Sequence, residues 1–470
     1  MIKSLFLNFT LMLLPMMASA QAEITTQMPT DIEPITAPFD MPQLQRPAFP
    51  DRSVTLRCPG AKKLATKSIQ GAIDKLSSKG GGTVVIAAGK WLTGRLTLKN
   101  NVCLNISEGA ELHFSGDVKD YLPAVACRNE GVDIYGPGAM IYADGAENIA
   151  VTGKGKLVAP DRSCELLQLT MAGIPESVQA LPLEERIFDG RYPASKFGFE
   201  LPKDKSPEAN ANGRYAYTLC LPVFFGPMNS KNVLIEGVTL EKSVFWNIVP
   251  VYCENVIIRG VRVESAGIAR TDGIDIDSSV NALIEYTYLD CGDDCFTLKA
   301  GRGMDGVQKG RPTENVVIRH CYANHGAGGL TIGSETAAGI RNVYMQDVTI
   351  GEPQYGIYFK TRRPRGGGGE NLWFENVRMK NPKKRAIYWD MLGSPVYVGK
   401  LAERFNKDND TRLTPWFRNI HFNGLSIDQC PDFIKAIGLP ESPIENVTFE
   451  NVKTPCNSIV LQDVGKWEMK

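Results

Sequence analysis

The chain has 470 residues, and its 52 Lys and Arg balance 52 Asp and Glu to a formal charge of zero. Nucleic acid and anionic membrane both select for a basic excess, so neither is expected as a partner. With 43% hydrophobic and 22% charged residues the composition is that of a folded protein with ample length for a large core, which excludes disorder as the main state.

Residues 1–20 carry one early Lys3, an apolar run from Leu5 to Met17, and then Ala18, Ser19 and Ala20. That pattern reads as a secretory signal peptide. The run is shorter than the roughly 20 apolar residues a membrane-spanning helix needs, and Asn8, Thr10 and Pro15 interrupt it. An exported protein in the periplasm or outside the cell, with no membrane span, is expected. Residues 21–50, rich in Pro and Thr, read as an extended leader ahead of a domain covering 51–470.

Thr66 to Leu76 is amphipathic at helical spacing, and Gly80, Gly81 and Gly82 end it. Asn101 and Asn148 head weak strand-like units, and 160–215 reads as a long insertion. From about residue 230 one pattern recurs. An Asn is followed by alternating apolar residues and a Gly or polar residue, as in Asn232-Val-Leu-Ile-Glu-Gly-Val, Asn255-Val-Ile-Ile-Arg-Gly-Val and Asn281-Ala-Leu-Ile-Glu-Tyr-Thr. Asn315, Asn342, Asn371, Asn419 and Asn446 head further copies, at intervals of 23 to 34 residues except for the 48 between Asn371 and Asn419. Such a period is one turn of a solenoid.

Period-two alternation and β-branched content make each unit a strand. The predicted fold is therefore all-β, a right-handed parallel β-helix whose exposed first coil is capped by the N-terminal helix. Each Asn is expected to adopt the left-handed conformation and to hydrogen bond its equivalent one coil away, a structural ladder and not a site. The eleven cysteines are scattered without paired spacing or flanking His, so a structural zinc site is not expected. Most read as small buried hydrophobes, with one or two disulfides open.

Three carboxylates stand out: Asp272 in Arg270-Thr-Asp-Gly-Ile-Asp, and Asp293 and Asp294 in Cys291-Gly-Asp-Asp-Cys. Asp272 and Asp293 are 21 residues apart, close to one coil, which puts their strands on adjacent rungs about 4.8 Å apart. A Gly-Asp pair also suits a turn. Stacked carboxylates repel one another, however, and a pair with split pKa values is what acid–base hydrolysis of a glycoside requires. The next rungs bring His325, Glu335 and the basic run Lys360, Arg362, Arg363 and Arg365. Basic residues beside carboxylates suit a substrate that is itself a carboxylate. Lys360 is the favoured one, the arginines reading equally as solvated loop charges.

At these residues the chain resembles glycoside hydrolase family 28, the polygalacturonases and related pectin hydrolases, over roughly residues 60–455. Gly80-Gly-Gly-Thr-Val-Val, Ser243-Val-Phe-Trp-Asn-Ile-Val-Pro, Thr271-Asp-Gly-Ile-Asp and Gly292-Asp-Asp-Cys carry the likeness, and Ala300-Gly-Arg-Gly-Met-Asp-Gly resembles the bacterial exo-acting or oligosaccharide-trimming members. The resemblance implies a monomeric, cofactor-free and metal-independent inverting hydrolase of α-linked galacturonic acid in pectic polysaccharide or oligosaccharide. It implies Asp293 as the acid, Asp272 and Asp294 as activators of the water, and Lys360 as the partner of a galacturonate carboxylate.

Three departures alter the substrate-gripping shell. The family's Asn-Thr-Asp is here Arg270-Thr-Asp272, its Arg-x-Lys is Tyr358-Phe-Lys360, and its histidine falls on Ala327, with His325 two residues upstream. Arg270, His325, Tyr358 and Lys360 are thus the expected substrate contacts, and an exo-acting or rhamnogalacturonan-directed enzyme is favoured over a plain polygalacturonase. Two other readings stay open. One is a β-helix lyase using Ca²⁺ and Arg270 as base, and the other is a non-catalytic pectin-binding β-helix.

Overall fold

The computed structural model describes residues 28–171, 180, 196–199, 221–406 and 408–470. The expected signal peptide at 1–20 and most of the expected insertion at 160–215 lie outside these residues. None of the described helices is long and apolar enough to cross a membrane.

Strands coil in one sense and pair in parallel with the equivalents of the preceding and following turns. The repeat explains this arrangement. In each unit the first and third residues after Asn point inward, and the parallel register aligns them coil upon coil, Val102 with Ile149, Ile149 with Val233, Val233 with Val256 and Val256 with Ala282. Interior rows become stacks: Phe359 lies flat on Trp389 at 4.2 Å, and Phe422 on Phe449 at 4.5 Å.

Every ladder Asn from Asn101 to Asn446 has φ between 53° and 60°. Each donates its side-chain amide to the oxygen of the Asn one coil before, for example Asn281 to Asn255 at 3.2 Å and Asn315 to Asn281 at 3.1 Å. A left-handed residue turns the corner between two sheets, and Asn accepts that conformation more readily than other residues with a side chain.

The predicted capping helix, α1, spans Thr66–Ser78. It buries Ile69, Ala72, Ile73 and Leu76 on the first coil and ends where Gly80 and Gly81 take positive φ. Residues 28–50 have neither helix nor strand and run along the outside of the coils. They lay Ile35 and Leu44 on an outward apolar row formed by Ala150, Leu234, Ile257 and Leu283, which accounts for an apolar residue at the outward position of the repeat. Buried Arg259 and Arg319 clamp Glu285 from both sides and donate to the carbonyls of Pro29, Glu33 and Pro34. All ten described cysteines are free thiols.

The sheet that carries the site contains, in chain order, β1 (Ile274–Asp277), β2 (Phe296–Lys299), β3 (Gly328–Gly333), β4 (Tyr355–Lys360), β5 (Arg385–Asp390), β6 (Asp432–Ile437) and β7 (Ile459–Gln462).

Candidate active site

A cleft of about 350 Å³ opens on the outer face of this sheet. Asp272, just before β1, and Asp293 and Asp294, in the turn before β2, form its floor. The register corrects one sequence expectation. Ile274 pairs with Phe296, and the Gly273 amide donates to the Asp294 carbonyl, so Asp272 stands opposite Asp294 and not Asp293. The rungs are adjacent as expected, with a step of 22 residues where 21 was assumed.

Packing several carboxylates against each other requires buried cations, and the neighbouring strands provide them. Lys299, at the end of β2 and 3% exposed, lies over the Trp246 ring. Its ammonium is 3.1 Å from Glu335, 3.4 Å from Asp275 and 3.6 Å from Asp272. Lys360, at the end of β4, lies 3.0 Å from Asp294. Arg365 pairs with Glu335 and donates to Ser334 Oγ at 3.1 Å. Glu130 reaches the cleft from the tip of a hairpin, Val125–Asn129 with Val132–Gly136. That tip is fixed because the Arg302 amide donates to the Gly131 carbonyl and a Cβ on Gly131 would meet Glu335.

These surroundings set the protonation states. Burial, then Asp275 and Asp293, push Asp272 well above the ordinary aspartate range. Burial, then Asp294, raise Asp293, while Lys360 and Lys299 work the other way. Burial raises Asp275 to about 7 against the pull of Lys299, and it also raises Glu130 to about 7. Glu335 resists the same desolvation because Lys299, Arg365 and Arg302 hold it well below its ordinary value. Protons are therefore shared among the floor aspartates at neutral pH, while Glu335 stays charged as counter-ion to Lys299. The arrangement can donate a proton and accept one within a single cleft.

Of the expected substrate contacts, Arg270, Tyr358 and Lys360 line the cleft. His325 does not. Its side chain is 51% exposed, and Nδ1 lies 2.8 Å from Asp290 and 2.9 Å from the Asn324 amide, because the turn after the preceding strand directs the ring toward Asp290. The arginines read as possible solvated loop charges are not solvated either. Arg363 is fully buried on Glu441, Arg365 is 1% exposed on Glu335, and Arg362 is 7% exposed.

Sequence reasoning missed Lys299, Glu335, Asp275 and Glu130. Asp275 and Lys299 stood inside the quoted motifs at outward strand positions, where a charge among apolar neighbours was a usable signal. Glu130 comes from a hairpin far upstream and has no local signal.

The sequence model of glycosyl hydrolases family 28 matches residues 209–393, the segment holding all three floor aspartates, Lys299, Glu335 and Lys360. The chain belongs to glycosyl hydrolase family 28. It is similar to an exo-poly-alpha-D-galacturonosidase of Dickeya chrysanthemi, 26% identical over 83% of this chain and 69% of the relative. A probable polygalacturonase of Vitis vinifera is likewise 26% identical, over 83% of this chain and 70% of the relative. A hyperthermoactive exopolygalacturonase from Thermotoga maritima superposes with a TM-score of 0.73 at 27% identity, over 91% of this chain and 93% of that one. Family membership makes this β-helix a glycoside hydrolase, against the lyase and the non-catalytic binder.

Proposed function

We propose that this family 28 enzyme hydrolyses α-linked galacturonic acid bonds of pectic chains or oligosaccharides, from chain ends and with inversion. The carrying observation is that Asp272, Asp293 and Asp294 share one cleft with Lys299 and Lys360 placed among them. Asp293, raised by burial and by Asp294, keeps a proton to give to the leaving oxygen. Asp272 and Asp294, each beside an ammonium, take the proton of the attacking water, and the acid and base of an inverting pair stand about 6.5–9.5 Å apart to admit it. Removing a proton from Asp272 costs least where Lys299 balances the new charge. The names of the Dickeya and Thermotoga relatives support galacturonan ends as the substrate.

A second reading, rhamnogalacturonan oligosaccharides, is favoured by Tyr358, an aromatic surface in the cleft stacked on Tyr388 at 5.1 Å and suited to an uncharged sugar. The enzyme would act as an exported monomer, outside the cytoplasm where pectic chains are found. The test is incubation with homogalacturonan, rhamnogalacturonan and their oligosaccharides, products read by mass and reducing ends. Saturated galacturonate released from galacturonan ends supports the first reading, and release only from rhamnogalacturonan supports the second. No product from either rejects both.

A further inference from the structure

Tyr358, Lys360 and Arg362 alternate along one chain segment, and all three line the cleft. Alternation places them on the same outward face, about 6.6 Å apart from one to the next. Lys360 is already engaged with Asp294. Arg362 stands one step farther from the floor aspartates, where the long excursion between Asn371 and Asn419 folds back over the cleft.

That excursion shapes Arg362. Its short helix, Pro395–Val398, begins at Ser394, whose hydroxyl accepts from the Val396 amide. The helix sets Tyr397 under the guanidinium, 4.3 Å from ring centroid to Cζ. On the other side, Gly393 has φ 71°, and a Cβ there would lie 2.6 Å from Arg362 Cδ. Asp390 fixes the turn by accepting from the Gly393 amide at 2.9 Å. The guanidinium is therefore wedged between a glycine backbone and an aromatic face, 7% exposed yet on the wall of the cleft. A planar cation with its rotamer fixed and its edge toward the sugar is suited to a carboxylate, since little freedom is lost when the two hydrogen bonds form.

We propose that Arg362 is the substrate-binding residue that grips the carboxylate of the uronic acid unit held under the 393–398 roof. This inference rests on the function proposed above and adds to it the group that reads the charge. It also explains how the cleft tolerates Tyr358: the guanidinium comes from two residues after Lys360 instead of two before.

The test compares wild type with Arg362→Gln, Arg362→Lys and Tyr397→Ala on trigalacturonate and its methyl ester. Turnover is followed by reducing ends, and binding by calorimetry in an Asp293→Asn background. For Arg362→Gln, KM on the acid is expected to rise about 10- to 100-fold, with kcat within about threefold and little change on the ester. Arg362→Lys should recover part of the loss, and Tyr397→Ala should show a smaller loss of the same kind. An acid KM within about twofold of wild type, or equal losses on acid and ester, overturns the assignment while leaving the proposed function standing. Wild type that neither binds nor cleaves either trimer overturns both.

Discussion

Replacing Lys299 by Met removes the one ammonium that faces Glu335, Asp275 and Asp272 together, while keeping most of its volume beside Trp246. At 3.6 Å from Asp272, and with an effective dielectric constant of about 20, a unit charge contributes about 4–5 kcal/mol. That is about three pKa units before solvent and neighbouring charges relax. The ammonium favours the ionised form of Asp272, so its loss moves that carboxyl further up. The acidic limb of the kcat profile should move to higher pH by at least about one unit, and activity at pH about 6 should fall by at least about 100-fold. Glu335 keeps Arg365, so the fold should survive with a loss of about 3–5 kcal/mol, the usual cost of breaking a buried pair. The assay is a pH–rate profile from about 4 to 9, with a thermal melt on the same preparation. A folded Lys299→Met enzyme whose acidic limb stays in place would refute the electrostatic account of Asp272.

Asp275 and Glu130 sit near 7 in the folded protein, against ordinary values of 3.8 and 4.5, so between those limits the folded state holds protons that the unfolded chain has released. Stability should therefore rise as pH falls from about 7 toward about 4.5, and then drop as Glu335, depressed by its cations, finally takes up a proton. A higher Tm at pH about 5.5 than at pH about 8, with a flatter slope in Asp275→Asn, is the expected result. In the ladder, Asn281 has φ 59°, donates to Asn255 and accepts from Asn315. Asn281→Ala should cost about 3–4 kcal/mol in urea unfolding, from two hydrogen bonds of about 1 kcal/mol each and about 1–2 kcal/mol of left-handed strain. Asn281→Gly should cost about 2 kcal/mol, because glycine avoids the strain; equal costs would contradict the assignment.

The solenoid was legible because a repeat states its rule many times over. Asn232, Asn255 and Asn281 each mark a corner, and the alternation after them marks the inward face. The outward apolar row at Leu234, Ile257 and Leu283 was not interpretable from alternation alone, since its cover is residues 28–50, far away in the chain. Asp272, Asp293 and Asp294 were legible as a cluster because one coil separates them. Their register was off by one residue, which interval counting does not fix when turns differ in length. His325 looked suitable by type and nearness, but the turn aims it at Asp290. Arg363 and Arg365 looked like solvated charges because their partners, Glu441 and Glu335, lie on other coils. Buried pairing of this kind is a tertiary property and leaves no local mark.

The central claim is that Asp293 protonates the leaving oxygen while water, activated opposite it, attacks the sugar directly. Proton NMR of the first product formed from an oligogalacturonide, read before mutarotation, tests it most directly, with Asp293→Asn as the control. The account predicts that the α-linked bond yields the β-anomer first and that Asp293→Asn loses at least about 1,000-fold in kcat while still binding the oligosaccharide. An α-anomer formed first, or an Asp293→Asn enzyme with near-normal turnover, would contradict it.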